Sequence, residues 1–197
     1  MIRPVILEGV SVNLVPLTLA HLDQLCAIGL DSRLWQTTTI QVSNRTQMES
    51  YVRAALEAQK TGTALPFVIV ERVTSKIVGM TRYHSAVPEQ KRVEIGFSWV
   101  SPPWQRTVVN SESKYLLLRH AFENLGCIRV EFKANVENEQ SLRALARIGA
   151  KQEGILRCYR VAPSGATFDL AVFSIIAAEW SDVRSALEAK LYKRTNT

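Results

Sequence analysis

Hydrophobic and polar positions follow two different periods along this chain of 197 residues. Alternation from Val10 to Leu17 predicts a first strand. Apolar residues at helical spacing then predict two helices, the first capped by Thr18 and the second beginning at Asn44 or Thr46. From Leu65 onward the period changes to that of strands. Three successive runs, joined by short connections that favour an antiparallel meander, predict strands at Leu65–Glu71, Ile77–Tyr83 and Arg92–Val100.

The second half of the chain alternates helices with strands. A helix capped by Asn110 or Ser111 follows the third run, and because it is long, the next strand can pair with that run in parallel. That strand is predicted at Arg129–Asn135, and a further helix begins at Asn138. Two strands joined by a Pro163-Ser164-Gly165 turn and a final helix complete the pattern. The strands are Lys151–Val161 and Thr167–Ile176, and the final helix runs from Ala178 to about Leu191.

One segment combines a strand end, a turn and a helix start. The strand Arg92–Val100 is stopped by Ser101-Pro102-Pro103, because proline cannot donate to a sheet ladder. The basic turn Trp104–Val109 follows, and Glu112 is expected in the first turn of the next helix. Backbone N–H groups and the positive end of the helix dipole would meet there. The segment therefore predicts a phosphate-binding site for a phosphorylated cofactor.

Composition limits the classes of protein that fit. Hydrophobic residues make up 47% of the chain, which predicts a folded globular protein, and we expect one domain over residues 1–197. No apolar run approaches the roughly 20 residues needed to span a bilayer, and no signal-peptide pattern opens the sequence, so a cytoplasmic location is expected. The net charge of +6 favours an acidic partner. Nucleic-acid binding is a weaker alternative, because the basic residues form no run.

Cysteine and histidine spacing predicts no metal site. Three cysteines, an odd number, are widely separated without any C-x-x-C pair, as is typical of reduced thiols. Three histidines also lie far apart in the sequence and form no ligand motif.

The order of elements and several short motifs together resemble the GCN5-related N-acetyltransferase (GNAT) family, over nearly the whole chain. The similarity is greatest to the branch of RimJ/RimL-like, ribosomal-protein N-terminal acetyltransferases. The segments that carry the resemblance are Ile95–Val100, Pro103–Arg106, Ala121–Gly126 with Arg129-Val130, Asn138–Ser141, Ile148–Ala150, Glu153-Gly154 and Glu179-Trp180. It implies an α+β (mixed α/β) acyl-CoA N-acyltransferase fold. Its sheet would have about seven strands, mixed but mostly antiparallel, flanked by helices and splayed between strands 4 and 5.

The resemblance implies acetyl-CoA as co-substrate, without a metal. Coenzyme A would contact three groups of residues. Backbone near Trp99 and Val100, beside an expected bulge, would serve the acetyl group. The anion-binding turn comprises Arg106, Thr107, Val108, Val109, Asn110 and Ser111. The opposite wall would come from Asn138, Ser141 and Arg147, with Asn138 holding the pantetheine amides. For Asn138 and Ser141 the alternative is a helix cap followed by a surface residue, and for Arg147 it is a solvated basic face.

The anion-binding turn departs from the family pattern, which is written [QR]-x-x-G-x-[GA]. This chain has Q-R-T-V-V-N-S from Gln105 and no glycine. Val108 or Val109 takes the glycine-like place, where a positive φ would strain a β-branched residue. The turn must therefore reach the phosphates with ordinary helical dihedrals, or bind coenzyme A more weakly. Side chains of Arg106, Asn110 and Ser111 could compensate.

Acetyl transfer needs a neutral amine, donors for the oxyanion and a proton for the leaving thiolate. Ser141, one turn after Asn138, is the predicted proton donor. Glu94 is a candidate base. Ile95, Phe97 and Trp99 are expected to share the core face of the strand, so Glu94 would point to the other face, into a substrate groove or into solvent. Tyr159 is a further candidate acid, and water could replace a dedicated base.

The acceptor side is predicted from three residues. Trp35, which precedes a threonine run, would line the groove or pack over the sheet edge. Tyr83 and His84 end a strand and could relay a proton, or lie on the surface. The predicted activity is transfer of acetyl to a primary amine, either a protein N-terminus or a small molecule, and the resemblance also implies a homodimer. The alternative function is a non-catalytic acyl-CoA-binding module, which the glycine-free turn favours.

Overall fold

The computed structural model describes residues 3–38, 40–162 and 165–192, and its centre is one eight-stranded sheet. The order of strands is β1-β2-β3-β4-β5-β6-β8-β7. Neighbouring strands are antiparallel except β5 and β6. The strands are β1 (Leu7–Glu8), β2 (Val12–Pro16), β3 (Leu65–Glu71), β4 (Ile77–Val87), β5 (Arg92–Val100), β6 (Arg129–Asn135), β7 (Lys151–Val161) and β8 (Thr167–Ile176).

Five α-helices flank the sheet in the described chain: α1 (Leu22–Gly29), α2 (Arg45–Lys60), α3 (Val108–Arg119), α4 (Glu139–Arg147) and α5 (Trp180–Tyr192). A π-helical turn, His120–Asn124, extends α3. The predicted order of elements is confirmed, and β3, β5, β6, β7 and β8 have the predicted bounds. The predicted cap Asn44 is also confirmed, because its side-chain oxygen accepts from the amide of Gln47 at 2.9 Å.

Three details of local structure differ from the prediction. The sheet has eight strands where about seven were expected, because the two-residue β1 pairs with β2 before the predicted start at Val10. Strand β4 continues to Val87, four residues past its predicted end at Tyr83. Helix α3 begins at Val108, before the predicted caps. Of the predicted turn before β8, Pro163 and Ser164 lie outside the described residues.

The sheet separates two hydrophobic cores. Helices α3, α4 and α5 cover one face, and we call this the α3 layer; its core includes Ile95, Leu116 and Phe132. Helices α1 and α2 cover the other face, the α2 layer, whose core includes Trp99. Because the central strands bury side chains on both faces, their sequences are nearly continuous apolar runs.

A bulge in β5 moves its side chains from one layer to the other. Phe97 has a φ of +50°, and the register with β4 shifts between the Met80–Trp99 and Arg82–Gly96 pairs. An extra residue in one strand reverses the alternation beyond it. Ile95 therefore packs in the α3 layer, whereas Phe97 and Trp99 pack in the α2 layer. The expectation that these three residues share one face is wrong for this reason.

Candidate active site

Strands β5 and β6 open into a cleft. Their parallel pairing covers three residue pairs and ends at Glu94 opposite Glu131. Beyond it, residues 95–100 of β5 pair with none of the described strands on that side. Backbone polar groups along this edge are therefore open to a ligand, because an unpaired strand edge is a template for hydrogen bonds. The splay that was predicted between strands 4 and 5 is confirmed here, as the separation of β5 from β6.

The anion-binding turn lies between the end of β5 and the start of α3. Thr107 caps the helix: its hydroxyl accepts from the amide of Val109 at 3.3 Å and donates to the carbonyl of Trp104 at 2.7 Å. Asn110 and Ser111 therefore lie inside the first helical turns, and the prediction that one of them caps α3 is wrong. The first N–H groups of a helix lack intrahelical partners. The turn thus presents backbone donors and the positive end of the helix dipole.

Arg106 takes the left-handed conformation that the family pattern assigns to glycine further along. Its φ is +61°. Val108 and Val109 belong to the helix, and neither of them has a positive φ. The chain therefore turns one peptide before the cap and enters α3 with ordinary dihedrals, as the absence of glycine predicts. The conformational strain is carried by an arginine, for which a positive φ is uncommon.

Asn138 forms the opposite wall of the cleft. Its Oδ1 caps α4 by accepting from the amide of Ser141 at 3.0 Å, and its Nδ2 donates to Thr37 Oγ1 at 2.8 Å. The side-chain oxygen of Asn138 therefore caps α4, which is the alternative role expected for this residue. Ser141 is half-buried. Nearby on β6, Asn135 is buried and its Nδ2 has no hydrogen-bond partner among the described residues, so this amide is available to a ligand.

The two walls approach each other at the mouth of the cleft. Gln140 Nε2 lies 3.5 Å from Gln105 Oε1, which joins the start of α4 to the anion-binding turn. Arg147 is exposed at the other end of α4. A phosphorylated ligand whose phosphates lie on the turn would therefore run between the two helix N-termini.

Comparison with known proteins agrees with this geometry. Residues 11–151 match the family described as acetyltransferase (GNAT) domain. The chain belongs to the GNAT family. It is 31% identical to the uncharacterized N-acetyltransferase YoaA of Bacillus subtilis (strain 168) over 123 residues, which are 62% of this chain and 67% of YoaA.

Solved structures share the fold over nearly the full length. A crystal structure of a provisionally assigned acetyltransferase from T. thermophilus is 33% identical, with a TM-score of 0.88 over 98% of this chain and 100% of that chain. Mycobacterium smegmatis RimJ, solved in complex with CoA-disulfide, has a TM-score of 0.78 at 24% identity over 94% of this chain and 91% of that chain.

The candidate base of this GNAT domain, Glu94, is buried and paired. Its side chain faces the α2 layer, accepts from Lys133 Nζ at 2.5 Å and lies 3.4 Å from His84 Nε2. The prediction that Glu94 lies opposite Ile95, Phe97 and Trp99 holds for Ile95 alone, because Phe97 and Trp99 pack on the same face as Glu94. Glu94 is 7% exposed, so solvent is not its environment. Burial, together with the nearby cations Arg82 and Lys133, lowers the pKa of His84 to about 3. His84 is therefore neutral near pH 7.

Lys114 of α3 reaches the bulge from the other layer. Its ammonium is hydrogen-bonded to Ser98 Oγ and lies 3.5 Å from Thr81 Oγ1. Burial lowers the pKa of this lysine to about 7. Ser98 itself is exposed, so the buried lysine nitrogen contacts a residue that solvent reaches. A group that is half neutral at physiological pH can exchange a proton there.

Three predicted site residues lie elsewhere. Tyr83 is fully buried in the α3 layer, donates to the carbonyl of Leu117, and has a pKa raised by burial. Trp35 is 3% exposed, and its indole donates to the carbonyl of Gly29 at 2.9 Å, which agrees with the packing alternative. Of the threonine run after it, Thr39 lies outside the described residues. Tyr159 is 48% exposed on the edge strand β7.

Arg82 and Lys114 are site residues that the sequence pattern did not single out. Arg82 lies in the buried part of β4 and is 6% exposed. A charged residue inside a strand that is buried on both faces is itself the signal that could have identified it. Lys114 is harder to identify from the sequence, because surface lysines are common in amphipathic helices. Only the packing of α3 on the bulge buries it.

Among the described residues, no group of three or more His, Cys, Asp and Glu side chains is arranged to hold a metal ion. None of the helices in residues 3–38, 40–162 and 165–192 has both the length and the apolar composition that a bilayer crossing requires.

Proposed function

We propose that this chain is an acetyl-CoA-dependent N-acetyltransferase that acetylates a primary amine by direct attack in a ternary complex. The observation that carries the proposal is the separation of β5 from β6 after Glu94, with the N-terminus of α3 at the mouth of the resulting cleft. Membership of the GNAT family supports the same chemistry.

The residues of the cleft fit coenzyme A. Phosphate oxygens would accept from the first backbone N–H groups of α3, with Arg106, Thr107, Asn110 and Ser111 nearby. The pantetheine arm carries amide groups, which the open edge of β5 and the unpartnered Nδ2 of Asn135 can satisfy. Asn138 would contact the arm through Nδ2 after its contact with Thr37 opens. Arg147, which is exposed on α4, is our candidate for binding the phosphate at the outer end of the ligand.

The reaction forms one carbon–nitrogen bond and breaks one carbon–sulfur bond. A neutral amine attacks the thioester carbonyl, whose oxygen gains negative charge and needs donors. Backbone N–H groups near Trp99 and Val100, on the open edge beyond the bulge, would supply them. The sulfur leaves as a thiolate and takes a proton, for which Ser141 remains our candidate donor. The proton lost by the amine must reach a base.

Glu94 is our candidate for that base. Lys133 keeps the carboxylate in place, and His84 separates it from Phe97, whose ring centroid is 4.9 Å from that of the histidine. Neutral His84, which contacts the Glu94 carboxylate, would take the proton from the acceptor amine, directly or through water, and pass it to Glu94. Tyr159, on the exposed edge strand, is retained only as an alternative acid for a complex in which a second copy covers β7.

The acceptor belongs to one of two chemical classes. The resemblance of the sequence motifs to the RimJ/RimL-like branch favours the amine at a protein N-terminus, and a small-molecule amine is the other class. A homodimer, as the family resemblance implies, is part of this proposal.

The test uses the purified protein with acetyl-CoA and a panel of amines and N-terminal peptides, and it measures release of free thiol. We expect turnover that saturates with acetyl-CoA, and mass spectrometry should find the acetyl group on the acceptor nitrogen. Calorimetric titration with coenzyme A provides the second measurement. Absence of turnover across the panel together with absence of binding would rule out the proposal.

A non-catalytic acyl-CoA-binding module is the second candidate. The observation in its favour is that Glu94, the carboxylate at the inner end of the cleft, is already paired with Lys133. This candidate predicts saturable binding of coenzyme A without acetyl transfer to any member of the panel. Thiol release and calorimetry on the same samples distinguish the two functions.

A further inference from the structure

Arg82 is a buried cation whose guanidinium forms no hydrogen bond or ion pair with any described residue, and its Nε is fully buried. Desolvating a charge without a partner is costly, typically by several kcal/mol. A protein retains an unpaired buried charge where a bound molecule supplies the missing partner. The residue is 6% exposed, and of the guanidinium nitrogens only Nε is fully buried.

The guanidinium packs against two aromatic rings on the α2 face of the sheet. Its central carbon lies 3.8 Å from the centroid of the Phe97 ring and 5.2 Å from that of Tyr51. Aromatic rings stabilise the cation through their faces but leave the N–H groups at its edge unsatisfied. The bulge that moves Phe97 into the α2 layer therefore also creates the platform for Arg82.

Arg82 points toward the proposed acceptor side of the cleft. It shares this face with His84 and Glu94, and its charge reaches His84, whose pKa it lowers. Glu94, the carboxylate on this face beside His84, is neutralised by Lys133. Lys133 also lies 3.7 Å from Glu131, so Arg82 is the cation among these groups that has no carboxylate partner.

We propose that Arg82 determines acceptor specificity by binding a carboxylate on the amine acceptor. This inference rests on the proposed function and narrows it to amines that also carry a carboxylate, such as an amino acid or a peptide with an acidic residue near its N-terminus. A fixed guanidinium can bind a carboxylate through two parallel hydrogen bonds, which is stronger and more selective than a single contact.

The test compares acceptors that differ only in the carboxylate. Free amino acids are paired with their amides, and N-terminal peptides with Asp or Glu are paired with those with Asn or Gln. We expect the carboxylate member to have a kcat/KM higher by about ten- to a hundredfold, the range of a charge-assisted hydrogen bond. Arg82→Met should remove the preference by raising the KM of that member alone, and Arg82→Lys should restore part of it.

A matched control separates this role from a structural one. Arg53 of α2 is exposed and paired with Glu49 at 2.6 Å, so Arg53→Met should leave the preference unchanged. A purely structural role for Arg82 would lower the melting temperature without changing the ratio of the two kcat/KM values. Equal rates for both members in the wild-type protein, or a preference that survives Arg82→Met, would overturn the inference.

Failure of the proposed function is recognised separately, as absence of turnover with every acceptor. In that case the Arg82 Nε–H resonance, assigned by its loss in Arg82→Lys, gives the readout. Titration with N-acetyl amino acids should shift it saturably, whereas their amides should not. Absence of a shift with the carboxylate compounds would overturn the inference without reference to catalysis.

Discussion

Lys133 donates to Glu94 across 2.5 Å at the point where β5 and β6 separate. The two residues lie on different strands, and Glu94 belongs to the last residue pair that the strands share. The ion pair therefore closes the inner end of the cleft and fixes the carboxylate beside His84. Both the stability of the sheet and the proposed proton transfer depend on it.

Replacing Glu94 by Gln should lower kcat by about a hundredfold, the lower range for loss of a general base. Lys133→Met should instead destabilise the protein by ~1–3 kcal/mol, because it leaves a buried carboxylate without its cation. Steady-state kinetics and urea unfolding measure the two effects. Lys133→Arg, which keeps the charge, is the control, and a near wild-type kcat in Glu94→Gln would remove Glu94 from the mechanism.

Lys114 should make stability depend on pH in the alkaline range. Its pKa is about 7 in the folded protein and 10.5 as the ordinary value. Between these values the unfolded chain binds the proton and the folded protein does not, so stability rises with pH, by up to about 1.4 kcal/mol per pH unit. Lys114→Met should lack this rise when urea unfolding is measured from pH 7 to 10.

The control for this prediction is Lys60→Met, because Lys60 is exposed on α2 and paired with Glu57. It should retain the pH dependence of the wild-type protein. If the free energies of unfolding of wild type and Lys114→Met change in parallel from pH 7 to 10, the lysine is charged in the folded state and the interpretation is wrong.

Arg106→Gly should stabilise the protein by about 1 kcal/mol, because glycine adopts the φ of +61° without steric strain. Arg106→Ala should give no such gain. Both changes should weaken binding of coenzyme A and reduce its dependence on salt, since both remove a cation beside the phosphates. Thermal unfolding and calorimetry at two salt concentrations measure these effects.

Val108→Gly is the matched variant for the glycine of the family pattern. Val108 lies in the first turn of α3 with helical dihedrals, so glycine there should destabilise by roughly 0.5–1 kcal/mol. A gain in stability at Val108 and none at Arg106 would mean that the turn bends at the valine.

Glu112 should be among the most important single residues for stability. Its buried carboxylate accepts from the amides of Val10, Ser11 and Val12 at 2.6, 2.9 and 3.2 Å, and from the Tyr192 hydroxyl at 3.0 Å. Glu112→Ala leaves these donors without their acceptor, and we expect a loss of about 3 kcal/mol or more in the free energy of unfolding.

Tyr192→Phe removes one of these contacts and should cost only about 1 kcal/mol. Hydrogen exchange provides a local measurement: the amides of Val10 and Val12 should lose protection in Glu112→Ala and keep it in Tyr192→Phe. Equal protection in both variants would show that the turn before β2 is held by other contacts.

Most of the fold could be predicted because its signals are local. The apolar runs of β3 and β5 and the alternation of β6 are each bounded by residues that stop a strand, such as Pro102. The long helix between β5 and β6 allowed a parallel pair, and the structure has it. Glu112 lies in α3, but the prediction that it lies in the first turn is wrong, because the helix begins at Val108. Its long-range contacts with residues 10–12 have no local pattern.

The details of the site were harder to predict because they depend on tertiary contacts. The positive φ of Phe97 arises from the mismatch between β4 and β5, and nothing in the residue itself indicates it. Thr107, Asn110 and Ser111 are all good caps by type, and only the turn at Arg106 decides between them. Lys114 gives no signal in the sequence, because only the packing of its helix on the bulge buries it.

The bulge at Phe97 also determines how β5 can change in evolution. Substitutions in β5 alter one side chain at a time, but removal of one residue near Phe97 would restore the alternation and exchange the environments of every later residue. Trp99 would then meet α3, and Val100 would meet α1 and α2. Segment 96–98 should therefore tolerate replacement far better than a change in length, and a length-variant library of this strand would show viable members only where a second, compensating insertion or deletion lies before Ser101.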